Sequence, residues 1–166
     1  STMERKIKIL LMGVSGTGKS TLGQKLSYKT GIPFIDADDF HSKSNIEKMK
    51  KGIPLNDRDR APWIKNICRE ILKKKDLDII LGCSALKKVH RQQLMQNEKD
   101  WVCIFLQGSR EIIYRRLSKR KGHFFPDRLL ENQLESLEEP EDAHILDIRD
   151  TTKELVNKIC KTLNID

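Results

Sequence analysis

Short apolar runs alternate with stretches of helical periodicity along the chain. Runs of four to seven mainly apolar residues predict β-strands, and five are present: Ile7–Met12, Pro33–Asp36, Leu77–Cys83, Trp101–Leu106 and His144–Ile148. Elsewhere apolar residues recur every three or four positions, which predicts amphipathic helices. The clearest sets are Ile64, Ile67, Cys68, Ile71 and Leu72, and Leu155, Val156, Ile159, Cys160 and Leu163.

The alternation of strands and helices predicts the fold class. Such a chain forms a parallel sheet with helices on both faces, and continuous apolar strands suit burial on both faces. A length of 166 residues is too short for two domains of ordinary size. We therefore predict one α/β domain over residues 1–166, with three layers around a five-stranded parallel sheet.

Local signals predict where several helices begin and end. Two pairs have the spacing of a capping box: Ser44 with Glu47, and Thr151 with Glu154. Gly52 is placed to end the first of these helices. Asp59 has the residue type of an N-cap for the next one.

Composition limits the class of protein only in part. The chain has 32 basic and 24 acidic residues, a formal net charge of +8, which suits nucleic acid, a membrane surface or an anionic small substrate. No apolar run approaches the ~20 residues of a membrane span, and no signal-peptide pattern is present. The four cysteines are widely spaced without a C-x-x-C pair, so we expect reduced thiols in a cytoplasmic protein.

The first strand runs directly into GVSGTGKST, Gly13 to Thr21, which is a complete phosphate-binding loop followed by a helical pattern. Glycines let the backbone wrap around phosphate oxygens, Lys19 supplies a point charge to the β- and γ-phosphates, and the Ser20 hydroxyl suits Mg²⁺. We predict that ATP is bound by Gly13, Ser15, Gly16, Thr17, Gly18, Lys19, Ser20 and Thr21, and the metal by Ser20.

The rest of the chain favours one kind of nucleotide user. A GTPase needs an N-K-x-D motif after a late strand, but the string NEKD at 97–100 has the wrong order and precedes a strand. A motor ATPase carries an acidic residue at the end of a strand beside the loop, whereas DLDIILGCSAL ends its strand in Gly82, Cys83 and Ser84. These absences favour a small-molecule kinase.

The second strand supplies acidic residues for an acceptor site. The carboxyl ends of parallel strands share one edge, so PFIDADDFH brings Asp36, Asp38, Asp39 and His41 beside the loop. A kinase that acts on a hydroxyl group benefits from a carboxylate that orients and deprotonates it. We predict that Asp38 is this base. The alternative is that these aspartates only cap or solvate a turn, which suits Asp39.

The segment DADDFHSKSNIEKMKKGIPLNDRDRAPWI resembles the signature of the gluconokinases, which are ATP-dependent kinases of D-gluconate. The family pattern, roughly G-D-x-x-H-P-x-x-N-I-x-K-M-x-x-G-x-P-L-x-D-x-D-R-x-P-W, is matched in register from Asp38 to Trp63. CSALKKVHR, RLSKRKGHFF and LLENQLESLEEP resemble later motifs of the family, so the resemblance covers nearly the whole chain. The departures are Ala37, Ser42, His90 and Leu134, where the family usually has Gly, Pro, Tyr and Phe.

The resemblance implies a pocket for a polyol with one carboxylate. Such a pocket needs cations at one end and hydrogen-bonding groups along the chain of the substrate. We choose Arg60 and Arg91 for the carboxylate because a guanidinium can engage it with two bonds, while an exposed helical position is equally compatible with Arg91. The predicted substrate-binding residues are Asp38, His41, Arg60, Lys87, Arg91 and His123.

A basic segment, RRLSKRKGHFFPDR, spans Arg115 to Arg128. Alone it would fit a nucleic-acid patch, but after a phosphate-binding loop it fits a mobile lid, which we place at about 119–128. By resemblance, Arg116 and Arg120 match the lid-side arginines, and His123 lies in a family motif. We assign Arg116 to the nucleotide and Arg120 to the charge on the γ-phosphoryl group.

Together these features predict a P-loop kinase that phosphorylates D-gluconate to 6-phosphogluconate with ATP and Mg²⁺, using Lys19, Asp38 and Arg120 as catalytic residues. A kinase of another small acid, such as shikimate or a related sugar acid, is the nearest alternative. A nucleic-acid-binding P-loop protein is a more distant one, and we expect neither a nucleic-acid nor a membrane partner. The family resemblance alone suggests a homodimer.

Overall fold

The computed structural model describes residues 6–72, 77–96, 99–119 and 125–165. Within these ranges the five predicted strands are present as β1 (Lys8–Met12), β2 (Phe34–Asp36), β3 (Ile79–Gly82), β4 (Trp101–Gln107) and β5 (His144–Asp147). The helices in the same ranges are α1 (Lys19–Thr30), α2 (Lys43–Lys50), α3 (Asp57–Leu72), α4 (Lys88–Leu94), α5 (Arg110–Ser118), α6 (Asp127–Ser136) and α7 (Thr152–Leu163), with a 3₁₀ turn at Ala37–Phe40.

The strands form one five-stranded parallel sheet, as predicted, and their order is β2-β3-β1-β4-β5. Lys8 of the central strand β1 is in register with Ile79 of β3 on one side and with Trp101 of β4 on the other. The chain leaves β1 toward β2 and later returns to the other side through β4. The carboxyl end of β1 is therefore a topological switch point, where open α/β sheets bind ligands.

Two apolar cores lie between the three predicted layers, one on each face of the sheet. Ile9 and Leu11 of β1 pack with apolar residues of α1, α5, α6 and α7, and Leu10 and Met12 pack with those of α3 and α4. These four side chains have no exposed surface. Because neighbouring residues of a strand point to opposite faces, the continuous apolar run of β1 supplies both cores.

Two of the four predicted helix boundaries are confirmed, and the predicted caps Ser44 and Asp59 are wrong. Thr151 and Glu154 form the expected capping box of α7, and Gly52 follows the end of α2 with φ of 72°. Helix α2 begins earlier than predicted, and its cap is Ser42, whose Oγ accepts from the N–H of Asn45.

Helix α3 also begins earlier than its predicted cap, because Asn56 takes that role. The N–H of Asp59 donates to Asn56 Oδ1, and the N–H of Asn56 donates to Asp59 Oδ2, each at 2.9 Å. Asp59 therefore lies in the first turn of α3, where its carboxylate also accepts from Lys48 Nζ at 2.8 Å.

The cysteines follow the expectation from the sequence. All four are free thiols, of which Cys83, Cys103 and Cys160 are buried and Cys68 is half-buried. In the parts of the chain that the structure describes, no helix combines the length and the apolar character that crossing a bilayer requires.

Candidate active site

The phosphate-binding loop connects β1 to α1 through conformations that favour glycine. Gly16 and Gly18 have φ of 85° and 92°, values that residues with a Cβ rarely adopt. Thr17 Oγ1 donates to the carbonyl of Val14 at 2.8 Å, which closes the loop. Because glycine is the N-cap of α1, no side chain from that position covers the first turn, and a helix N-terminus of this kind suits an anion.

The ammonium group of Lys19 lies over this loop. Its Nζ donates to the carbonyl of Gly13 at 2.6 Å and to that of Val14 at 3.0 Å. The charge is therefore held beside the backbone that would surround the phosphates. This position agrees with the role predicted for Lys19 from the motif.

Asp36, which was predicted to lie beside the loop but was assigned no specific role, connects the loop to the acceptor side. Ser20 Oγ donates to Asp36 Oδ2 at 2.9 Å, and Asp36 Oδ1 accepts from the N–H of Asp38 at 2.9 Å. The oxygen of Ser20 keeps its lone pairs while its proton is engaged, and oxygen donors are the ligands that Mg²⁺ prefers. The end of the predicted strand indicated this position for Asp36, but not its hydrogen bond with Ser20.

A cleft of about 380 Å³ opens beside the loop. It brings together five of the predicted site residues, which come from three different regions of the chain: Ser15, Lys19, Asp38, His41 and Arg60. Their convergence is the arrangement expected of a kinase that places an acceptor next to ATP.

Asp38 and His41 face each other in this cleft. Asp38 Oδ1 lies 3.8 Å from His41 Nε2, with the carboxylate open to solvent and the imidazole 4% exposed. The histidine ring stacks on Trp63, with centroids 4.3 Å apart and planes at 16°. Trp63 Nε1 donates to the carbonyl of Ala37 at 2.8 Å, so the indole also fixes the turn that carries Asp38.

The surroundings shift the pKa values of Asp38 and His41 in opposite directions. The pKa of Asp38 is raised above its ordinary value by the loss of part of its hydration beside the protein and by the neighbouring Asp36, while Lys19 opposes them, although the carboxylate keeps access to solvent. Burial, reinforced by Arg60, lowers the pKa of His41 to about 4, against the opposing effect of Asp36. At neutral pH the imidazole is therefore uncharged.

Arg60 supplies a buried cation to the cleft. The residue is 8% exposed; Nη2 donates to Asn132 Oδ1 at 3.3 Å, and Nη1 lies 3.8 Å from the exposed carboxylate of Asp57. Burial lowers its pKa from the ordinary value, with Asp57 acting in the opposite direction, but an arginine starts high enough to stay charged. Such a guanidinium suits an anionic ligand.

Arg91 does not reach the cleft, so its predicted role is corrected. Its Nη1 donates to the carbonyls of Ala85 and Leu86 at 2.7 and 3.1 Å, and its Nη2 donates to that of Glu138 at 2.8 Å. The side chain is buried, so the alternative of an exposed helical position is wrong as well. Arg91 supports a loop in which Ala85 has φ of 43°, a conformation that residues with a Cβ rarely adopt.

The remaining predicted residues are distributed as follows. Lys87 is half-buried at the N-cap of α4 and does not line the cleft. Thr21 is exposed on the first turn of α1. Arg116 Nη2 donates to the carbonyl of Ile148, and its Nη1 lies 3.9 Å from where a Cβ on Gly18 would be. Arg116 therefore lies beside the phosphate-binding loop.

Two predicted residues of the lid, Arg120 and His123, lie outside the described residues. The described parts of the predicted lid are Lys119, which follows α5, and residues 125–128, which lead into α6.

Helix α6 contributes two cleft residues that the sequence analysis did not identify, Asn132 and Gln133. Asn132 contacts Arg60, and Gln133 contacts Ser15 in the phosphate-binding loop. Asn45, at the start of α2, contacts His41. Asn45 and Gln133 coincide with residues of the family pattern, which was the only signal for them in the sequence, whereas no signal in the sequence indicated Asn132.

Comparisons with known proteins identify relatives over most of the chain. The family model described as shikimate kinase matches residues 15–164. The chain is 40% identical over 171 residues to a probable gluconokinase of Dictyostelium discoideum, covering 94% of this chain and 86% of that protein. It is 41% identical over 156 residues to a gluconokinase of Arabidopsis thaliana, covering 84% and 82%.

A solved structure is similar over nearly the same length. The crystal structure of a gluconokinase from Sinorhizobium meliloti 1021 matches with a TM-score of 0.83 and 34% identity, and the match covers 97% of each chain.

Proposed function

The chain belongs to the gluconokinases within the shikimate kinase family, and on this basis we propose that it transfers the γ-phosphoryl group of ATP to a hydroxyl group of D-gluconate. The product is 6-phosphogluconate, as the family resemblance implies. ATP and Mg²⁺ are the proposed cofactors.

The observation that carries this proposal is the convergence of charged and polar groups in one cleft. Lys19, Asp38, His41 and Arg60 all line this cleft. Asp38 and His41 are themselves 3.8 Å apart. The cleft therefore combines a lysine of the phosphate-binding loop, a carboxylate, an imidazole and a guanidinium, which suits a polyol that carries a reacting hydroxyl and a carboxylate.

The chemistry assigned to the acceptor side is removal of one proton. The acceptor hydroxyl donates to Asp38, which takes its proton as the oxygen forms a bond to the γ-phosphorus and the bond to the bridging oxygen of ADP breaks. A raised pKa makes Asp38 a stronger base than an ordinary carboxylate. Arg60 binds the substrate carboxylate through its guanidinium.

The nucleotide side neutralises phosphate charge. Lys19 supplies a cation to the β- and γ-phosphates, and Arg116 and Arg120 are the proposed further cations for the nucleotide and the γ-phosphoryl group. Ser20 would hold Mg²⁺ through its hydroxyl oxygen while Asp36 orients that hydroxyl, and the ion would neutralise charge on the bridging phosphates.

The proposal is tested by measuring ADP release with Mg²⁺ and ATP against a panel of acceptors. The panel contains D-gluconate, other sugar acids, shikimate, nucleoside monophosphates and no acceptor. We expect a strong signal with gluconate. A preference for another acid would reassign the acceptor pocket, and equal release without any acceptor would show an ATPase and overturn the kinase assignment.

A further inference from the structure

Asn45 has a defined set of hydrogen bonds at the start of α2. The residue is 4% exposed, and its N–H donates to the cap Ser42 Oγ at 3.1 Å. Its side-chain Nδ2 lies 3.0 Å from the carbonyl oxygen of Asp59 and 3.2 Å from His41 Nδ1. The amide group therefore connects α2, α3 and the histidine of the cleft.

The partners of Asn45 determine which atom of its amide faces them. A backbone carbonyl only accepts hydrogen bonds, so the NH₂ group, and not the amide oxygen, must face Asp59. The second proton of that NH₂ group then points at His41 Nδ1, which has to be an unprotonated acceptor. In a neutral imidazole the proton is on the other nitrogen, and His41 therefore carries it on Nε2.

The protonated nitrogen points into the cleft. Nε2 is the atom that lies 3.8 Å from Asp38 Oδ1, and the stack on Trp63 fixes the plane of the ring. We propose that Asn45 is a positioning residue that holds His41 as the Nε2–H tautomer. His41 then donates a hydrogen bond toward the acceptor and Asp38, and it cannot take the hydroxyl proton at that nitrogen.

The inference separates the roles of the two neighbouring groups. Asp38 remains as the base, and His41 is a hydrogen-bond donor that orients the acceptor. The charged groups near the ring are Asp36 at the end of β2, Asp38 in the 3₁₀ turn and Arg60 in α3. Burial and Arg60 lower the pKa of His41 to about 4, which agrees with a neutral ring at physiological pH. The inference rests on the proposed function only for the identity of the acceptor.

The direct test is the tautomer of His41 in the full-length wild-type protein. A long-range ¹H–¹⁵N correlation spectrum of the ¹⁵N-labelled protein near neutral pH distinguishes the two ring nitrogens, and a His41→Gln variant identifies the His41 signals among the four histidines. We expect a protonated Nε2 and an unprotonated Nδ1. A proton on Nδ1, or a doubly protonated ring, would overturn the inference whether or not gluconate is the substrate.

The variant Asn45→Asp tests the role of Asn45 itself. A carboxylate accepts from Nδ1–H, so we expect the proton to move to Nδ1 and kcat to fall about ten- to hundredfold, the loss usual for a residue that orients a functional histidine. The matched control is Asn66→Asp on α3, which introduces the same charge. Asn66 Nδ2 donates to the carbonyl of Phe40 at 3.3 Å, and Asn66 Oδ1 accepts from Arg69 Nη2 at 3.2 Å. Neither contact involves His41, so the control should keep the tautomer and kcat.

One result for this variant would contradict the inference. An Asn45→Asp protein that keeps the Nε2–H tautomer and full kcat would contradict the positioning role. If this variant does not fold, the wild-type spectrum decides. Failure of the proposed function is separate, because it would be seen as a missing signal with gluconate in the acceptor panel and would leave the spectrum unchanged.

Discussion

Gln133 on α6 holds Ser15 of the phosphate-binding loop through two hydrogen bonds. The N–H of Ser15 donates to Gln133 Oε1 at 2.7 Å, and Gln133 Nε2 donates to Ser15 Oγ at 3.0 Å. The preceding residue, Asn132, accepts from Arg60 on the acceptor side. Helix α6 therefore connects the nucleotide loop with the cation that we assign to the substrate carboxylate.

Replacement of Gln133 by leucine should loosen the loop without removing any catalytic group. Each neutral hydrogen bond contributes about 1 kcal/mol, so we expect kcat/KM for ATP to fall about tenfold or more. Steady-state kinetics with ATP as the varied substrate measure this change. The control Gln92→Leu alters an exposed glutamine on α4 and should leave kcat/KM as in the wild type; an equal loss in both variants would argue against a specific role of the Gln133–Ser15 contact.

Asp38→Asn should separate catalysis from nucleotide binding. An amide cannot take the hydroxyl proton, so we expect kcat to fall by about a hundred- to ten-thousandfold, with the Kd for ATP changed little. Turnover assays and calorimetric titration with ATP measure the two quantities. Asp39→Asn is the matched control, because Asp39 is exposed on the same turn. A near-normal kcat for Asp38→Asn would exclude this residue as the base.

Arg60 and Arg91 should respond differently to the same change. Arg60→Met removes the cation of the cleft, so we expect a KM for gluconate raised by about tenfold or more while the KM for ATP stays within about twofold. Arg91→Met removes the guanidinium that donates to the carbonyls of Ala85, Leu86 and Glu138. Leu86 still accepts from the N–H of Glu138 at 2.8 Å, so we expect a loss of folding stability of about 1–3 kcal/mol. Kinetics and urea unfolding of both variants measure these effects, and a KM effect confined to Arg91→Met would reverse the assignment.

The sequence predicted the sheet well, because buried parallel strands are contiguous apolar runs. Each of the five strands was found within two residues of its predicted bounds. The phosphate-binding loop could be predicted equally well, because its functional groups belong to consecutive residues. The pattern placed Asp36 at the correct edge of the sheet. It could not predict the hydrogen bond from Ser20, because β3 lies between β2 and β1 in the sheet.

The roles of Arg60 and Arg91 could not be distinguished from the sequence, because both residues carry a guanidinium group near a predicted strand end. The difference depends on Glu138, whose carbonyl accepts from Arg91 although it lies 47 positions away. The contact between Gln133 and Ser15 spans 118 positions. Neither local periodicity nor motif spacing encodes such pairings, so these parts of the site required the structure.

His41 should make folding stability depend on pH in a defined window. Its pKa is about 4 in the folded protein and 6.5 ordinarily, so between these values the unfolded chain binds a proton that the folded protein does not. Stability from this residue is therefore complete above about pH 6.5 and is lost as the pH falls toward 4. The difference corresponds to about 3 kcal/mol.

Urea unfolding of the wild type and of His41→Gln, measured between about pH 7 and about pH 4.5, isolates this contribution. The pKa of the buried His90 is also lowered, chiefly by desolvation, but His90 is present in both proteins and its contribution cancels. We expect the free energy of unfolding to fall more steeply with acidification in the wild type than in the variant, because glutamine does not titrate. Parallel curves would mean that His41 titrates near its ordinary pKa, contrary to the buried, neutral ring seen in the cleft.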